Sequence, residues 1–271
     1  MISATDKVFA GSIPKLYDQL LVPLIFAPYA SDLSARLRGR YLRRVLEVAA
    51  GTGVVTRALA STLDTAAAIV ATDLNPAMLD HAAAIGTARP VEWRQADALS
   101  LPFGDGEFDA VVCQFGAMFF PDKARAYAEA RRVLRRDGLF VFSVWDRIEE
   151  NEFADLVTTA LEALFPDDPP RFLARTPHGY HDTGMIARDL QAGGFVAPAR
   201  MHTVAARSQA PSARTAAMAY CEGTPLRNEI EARDPTRLDE VTFTAAAALE
   251  RRFGTGAVDG KIQARVIEVS A

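Results

Sequence analysis

Between residues 44 and 145 the apolar positions change rhythm repeatedly. "RVLEVAA" (44–50), "AIVATD" (68–73), "FDAVVCQF" (108–115) and "GLFVFSVW" (138–145) are short, nearly continuous apolar runs. Their length and their β-branched and aromatic content predict buried strands. "PVEWRQAD" (90–97) alternates instead, as a strand with one wet face does. Between these runs, "GVVTRALAST" (53–62), "NPAMLDHAAAIG" (75–86) and "DKARAYAEARRVLRRDG" (122–138) repeat their apolar residues at helical spacing. Asn75 sits where an N-cap belongs and Pro76 at the first helical position, while Gly86 and Gly138 read as stops. Strand and helix alternating, with strands apolar throughout, predict an α/β fold: a parallel sheet covered on both faces. Ligands of such sheets bind in the crevice beyond the carboxyl ends of the strands.

Beyond residue 146 the alternation loosens. "EENEFADLVTTALEALF" (149–165), "DTGMIARDLQAGGF" (182–195), "PSARTAAMAYCEG" (211–223) and "RLDEVTFTAAAALERRFG" (237–254) predict helices, and 196–207 and 260–270 two further strands. Near the N-terminus, "LLVPLIFAPYA" (20–30) is about half of the ~20 residues that span a bilayer, and Pro23 and Pro28 interrupt it. It predicts a short helical lid and no membrane span. The chain therefore divides into a lid at 1–39, a core at 40–146, and a region at 147–271 holding cover helices and the late strands.

Composition narrows the class. Hydrophobic residues at 49% and charged residues at 24% are those of a globular protein. The net charge of −4 argues against nucleic acid as partner, because phosphate contacts need a basic face. The arginines at 36–44 and 131–136 read as solvated helix ends. Cys113 and Cys221 make neither a disulfide framework nor a metal spacing, no export signal is legible in "MISATDKVFAGSIPK", and a cytoplasmic location is expected.

The chemistry should lie in the loops after the strands. The first is "AAGTG" (49–53), whose glycines let a ligand approach the backbone at a helix N-terminus. A dinucleotide site would carry a third glycine where Thr56 stands, and Glu47 beside the turn repels a pyrophosphate. Asp73, ending the second run 20 residues after Gly53, is placed to hold ribose hydroxyls; with Asn75 as the helix cap, that role is favoured over capping. Asp97 can accept from an adenine amino group or simply form a turn. "QFGAMFFPD" (114–122) brings Gln114, Phe115, Phe119 and Phe120 to the same edge. Three carboxylates around one crevice suit a cationic, phosphate-free nucleoside, S-adenosylmethionine, over NAD(P).

These segments resemble a class I S-adenosylmethionine-dependent methyltransferase of the ubiquinone/menaquinone-methyltransferase-like group, the type 11 domain. "VLEVAAGTG" (45–53), "ATDLNPAMLDHA" (71–82), "WRQADALSLPF" (93–103), "FDAVVCQFGAMFFPD" (108–122) and "ARRVLRRDGLFVFSVW" (130–145) carry the resemblance in order. It implies a Rossmann-like, seven-stranded, mostly parallel sheet with the last strand antiparallel. It implies S-adenosylmethionine as cofactor. Glu47 and the backbone of Ala49, Gly51 and Gly53 would line the methionine part, and Asp73 would hold the ribose. Asp97 and Ala98 would meet the adenine, with Leu74 and Met78 on its faces. Gln114 and Phe115 would lie near the methyl group, and Tyr17 would close over the carboxylate end. The fuller motif has a glycine where Ala49 stands.

Methyl transfer to a small-molecule acceptor calls for an apolar, aromatic pocket, and Phe26, Tyr29, Phe119, Phe120 and Trp145 are the candidate walls. A general base, where the acceptor is a hydroxyl, is offered weakly by His178 and His181 in "TPHGYHD" (176–182); a plain loop is the favoured reading there, and no metal site is expected. His81 and His202 read as structural. Two other classes stay open: an NAD(P)-dependent oxidoreductase and a non-catalytic S-adenosylmethionine-binding module. Nothing in the sequence speaks to the oligomeric state.

Overall fold

The computed structural model describes Asp6 and residues 13–271. Seven strands form one sheet: β1 Arg44–Val48, β2 Ala68–Asp73, β3 Glu92–Gln95, β4 Phe108–Gln114, β5 Leu134–Trp145, β6 Arg200–Ala210 and β7 Val258–Ser270. Their spatial order is β3-β2-β1-β4-β5-β7-β6. The first five run parallel, with Val45 opposite Ile69 on one side and Ala110 on the other. Strand β7 runs against β5: Gly138 O accepts from Ala271 N, and Gln263 O from Asp146 N, so one number falls as the other rises. It also runs against β6, where Arg207 pairs with Asp259 and Thr203 with Arg265. The order reverses at β1 and β4, the place such sheets keep for ligands.

The helices are α1 Ile13–Leu16, α2 Ala27–Leu37, α3 Val54–Thr62, α4 Pro76–Ile85, α5 Lys123–Val133, α6 Glu152–Leu164, α7 Phe172–Arg175, α8 Thr183–Ala192, α9 Ala213–Glu222, α10 Leu226–Arg233 and α11 Leu238–Phe253. The chain divides into two compact units. The sheet unit comprises Ala27–Val144, Tyr180–Val204 and Arg265–Ala271; the helical unit comprises the described part of Met1–Phe26 with Trp145–Gly179 and Ala205–Ala264.

In the sheet unit, alternation along β5 sorts the core. Leu139 and Val141 face Leu33, Leu37, Val55 and Leu59 from α2 and α3. Phe140 and Phe142 face the other way, where Tyr127 of α5 and Phe195 join them at 5.2–5.8 Å between ring centroids. In the helical unit, α11 packs on α9 and α6, and Phe153 meets Phe253 edge to face at 5.1 Å.

Two expected boundaries move. The N-terminal apolar segment is one helical stretch of 25 residues, Ile13–Leu37, with mean hydropathy 1.2 over its most apolar window. Pro23 does not end it: Tyr17–Phe26 is wound as a π-helix with Pro23 inside. By length and composition this stretch can cross a bilayer, yet half of that window is buried within the protein, and a core helix passes the same test. Helix α5, in turn, ends at Val133 instead of at Gly138. Leu134 is buried and pairs with Phe108, which pulls the chain into β5. Asp137 then takes a left-handed turn (φ 62°) at a register shift, and a side chain on Gly138 would meet Arg135 O at 2.8 Å.

Candidate active site in the sheet unit

The first strand ends in a buried acid. Glu47 is 1% exposed and accepts a hydrogen bond of 2.5 Å from Thr56 Oγ1, on the first turn of α3. Thr56, which the glycine pattern marked only as a missing glycine, thus orients the carboxylate. Burial pushes the Glu47 carboxyl up to about 8; the Thr56 bond and Arg57 oppose this and the Asp73 charge adds to it. Arg57 itself is turned to Thr52 O at 2.7 Å.

Asp73 ties two loops together. Its Oδ2 accepts from Gly51 N and its Oδ1 from Asn75 N, both at 2.8 Å. Burial raises its pKa, and these backbone bonds pull against that. Asn75 occupies the N-cap position of α4, but its side chain makes no capping bond and lies 3.5 Å from Asp73 Oδ1. The expectation that Asn75 relieves Asp73 of structural duty is therefore corrected: the short amide turns towards the stronger acceptor, and Asp73 holds the helix start itself.

The turn 49–53 is built from left-handed residues: Ala49 (φ 57°), Gly51 (φ 56°) and Gly53 (φ 82°). Only Gly51 borders open space, since an added Cβ would touch Met78 Cε alone, at 3.7 Å. Gly53 is needed for packing, as a Cβ there would meet Trp93 at 3.0 Å and Ala82 at 3.1 Å. Ala49, standing where the fuller motif has glycine, is held in a left-handed conformation, a strain of about 1–3 kcal/mol. Its methyl group fills the space beside Gly116, where a Cβ would come within 2.5 Å of it and 2.8 Å of Cys113 Sγ. Phe115, opposite on the β4 loop, is also left-handed (φ 51°) and anchors its amide on Ser143 O at 3.0 Å.

Of the remaining predicted residues, Met78 and Ala98 are buried, whereas Leu74 is 43% exposed. Asp97 is exposed, and its Oδ1 accepts from Leu99 N, so the turn-forming alternative describes at least that oxygen. Gln114 is buried at the end of β4. Phe115 meets Tyr29 edge to face at 5.2 Å. Phe119 and Phe120 are half-buried, and Phe120 lines a small apolar pocket with Val48, Ala98, Leu101 and Cys113. Lys123, which no motif signalled, donates to Phe120 O at 2.9 Å and lies over the Tyr180 ring, so it fixes this loop. His181 belongs to the sheet unit and is half-buried.

The helical unit gathers the other candidates. Tyr17 stacks on Phe26 at 4.8 Å, Phe26 lies 6.1 Å from Trp145, and Trp145 lies 5.9 Å from His178. His178 is buried, with Nδ1 2.8 Å from Asp146 O. A carbonyl only accepts, so Nδ1 carries a proton. Among the described residues no three His, Cys, Asp or Glu side chains gather as a metal site.

The sheet-unit crevice fits a cationic nucleoside. It sets two buried carboxylates at one turn, opens beside Gly51, and holds the Thr52 hydroxyl, buried and without a hydrogen-bond partner among the described residues. Residues 46–142 match the methyltransferase domain family. That stretch of the chain is thus similar to methyltransferase domains.

Among its relatives, an uncharacterized protein of Mycobacterium tuberculosis is 41% identical over 130 residues, 47% of this chain and 44% of its own. The chain thus spans less than half the length of that relative. The ubiquinone/menaquinone biosynthesis C-methyltransferase UbiE of Stutzerimonas stutzeri is 28% identical over 70% of this chain and 75% of its own. Among solved structures, Haemonchus contortus phosphoethanolamine N-methyltransferase 2, in complex with phosphomonomethylethanolamine and S-adenosylhomocysteine, superposes with a TM-score of 0.60 at 13% identity, over all of this chain and 61% of that one. That likeness concerns the fold alone.

Proposed function

We propose that this protein transfers a methyl group from S-adenosylmethionine to a small-molecule acceptor by in-line displacement. The observation that carries the reading is the pair of buried carboxylates, Glu47 and Asp73, joined to one glycine turn. Asp73 keeps lone pairs for the ribose hydroxyls beyond the bonds it accepts from Gly51 and Asn75, and Glu47 offers a carboxyl whose charged form a bound cation would favour. Leu74, exposed after β2, and Met78 supply apolar surface for an adenine face. When bound, the cofactor supplies an activated methyl group on a sulfonium. The chain's own task is then to orient the acceptor and exclude water. In the sheet unit Tyr29, Phe119 and Phe120 supply aromatic surface for this; Tyr17, Phe26 and Trp145 form an aromatic row within the helical unit. For a hydroxyl acceptor we assign the proton to His178 Nε2, because the Asp146 carbonyl holds the tautomer that a base needs. The segments 147–181 and 208–259 are read as selecting the acceptor. Two buried free thiols suit a cytoplasmic location.

The test is product formation. Purified protein with S-adenosylmethionine and a panel of quinols, phenols and amines should release S-adenosylhomocysteine with at least one of them. His178→Gln should lower turnover of a hydroxyl acceptor about 10²–10⁴-fold. Cofactor binding without turnover across the whole panel would instead favour a binding module. Binding of NAD or NADP in preference to S-adenosylhomocysteine would favour the oxidoreductase.

A further inference from the structure

Within the helical unit, Asp6 is the described residue that lies farthest towards the N-terminus, and it is 1% exposed. Its carboxylate is gripped by the Arg175 guanidinium in a two-pronged pair, Nη1 to Oδ2 at 2.6 Å and Nη2 to Oδ1 at 2.8 Å. Thr176 Oγ1 donates a third bond to Oδ2 at 2.8 Å. The same guanidinium reaches Glu229 of α10 at 2.5 Å, and Glu229 accepts the amides of Arg171 and Phe172 at the start of α7. A buried carboxylate satisfied this fully, by a planar fork and a hydroxyl, is a fixed point in the structure.

What it fixes is the turn that carries His178. Thr176 N bonds Phe172 O at 2.9 Å, His178 N bonds Leu173 O at 3.1 Å, and Gly179 N bonds Thr176 O at 3.4 Å. The turn is so tight that a Cβ on Gly179 would come within 2.1 Å of Arg175 O. Asp6 therefore holds the two residues, Arg175 and Thr176, on which this turn is wound. The ring above it is held by a second anchor, the Asp146 carbonyl, whose own strand end is tied to Gln263: Gln263 Nε2 donates to Asp146 Oδ2 at 2.7 Å.

We propose that Asp6 is a positioning residue for His178: the Asp6–Arg175–Thr176 clasp sets the orientation of the imidazole and the tautomer it adopts. This rests on the reading of His178 as proton acceptor only for its catalytic meaning. The coupling itself is physical and is measured without any acceptor.

The experiment is nitrogen-15 NMR of the four histidine side chains at one fixed pH, with His178 assigned by loss of its signals in His178→Gln. The wild-type ring should show the Nδ1-protonated pattern. Asp6→Asn, which keeps the shape and removes the charge, should move both ring nitrogens towards tautomer-averaged values. Thr176→Val, which removes one of the three bonds, should move them the same way by less. Affinity for S-adenosylhomocysteine should stay within twofold in both variants. A wild-type ring protonated at Nε2, or ring signals unmoved in Asp6→Asn, overturns the proposal. So does loss of S-adenosylhomocysteine binding in both variants, since it would make the effect general unfolding. Failure of the wild type to bind S-adenosylhomocysteine would instead strike the cofactor reading and leave the clasp standing.

Discussion

Glu47 carries an unusual load for one residue. Its carboxyl is raised from about 4.5 to about 8, mainly by burial. The native state therefore keeps a proton between these values that the unfolded chain gives up, so this group's stabilising contribution is present below about 4.5 and is lost as pH rises through about 8. Glu47→Gln should remove that slope, and melting curves at pH 6 and pH 9 would show it as a smaller drop than in wild type. A bound sulfonium or ammonium favours the carboxylate, so cofactor binding near pH 7 should release about one proton. Titration calorimetry in two buffers of different ionisation heat counts it. Thr56→Val leaves the buried carboxylate one donor short, which should cost about 1–3 kcal/mol of stability by chemical denaturation. Glu47 and Asp73 were legible in the sequence as acids at strand ends. The partner role of Thr56 was not, because spacing records where a glycine is absent and not what a hydroxyl reaches.

At the scale of elements, the β1 and β4 loops are matched to each other. Ala49 and Phe115 both sit in left-handed conformations, and Gly116 is bare because the Ala49 methyl group occupies its side. Gly116→Ala should destabilise the fold by about 1–3 kcal/mol through overpacking. Ala49→Gly in the same chain should recover most of that loss, both by making room and by relieving the left-handed alanine. Independent, additive effects in the denaturation series would show that the two loops are not coupled. Strands and helices from 44 to 145 were legible because buried strands and amphipathic helices differ so plainly in period. The end of α5 was not: the arginines at 131–136 continue its helical pattern, while the pairing of Leu134 with Phe108, a contact far along the chain, decides the boundary. Pro23 misled for a similar reason, since a π-helical winding is set by tertiary packing and leaves no composition signal.

For the whole molecule, the parallel sheet follows from patterning, whereas its strand order and the assignment of segments to the two units do not. Residues 180–204 and 265–271 join the sheet unit across long insertions, and no local pattern announces that return. The candidate residues divide in the same way. Glu47 and Asp73 were visible as motifs, while the grouping of Tyr17, Phe26, Trp145 and His178 in the helical unit depends on segments more than a hundred residues apart. Both cysteines are buried, with their thiols pushed up to about 12. The folded protein should therefore resist thiol reagents at pH 8 and react with two equivalents once denatured. The central claim is that carboxylates on a glycine turn select a phosphate-free nucleoside. Titration calorimetry with S-adenosylhomocysteine, comparing wild type with Asp73→Ala, meets it most directly. The account predicts saturable binding by the wild type and about 10–100-fold weaker binding by the variant, the worth of one or two hydrogen bonds to a charged group. Equal affinity in the two proteins, or no binding in the wild type, would contradict it.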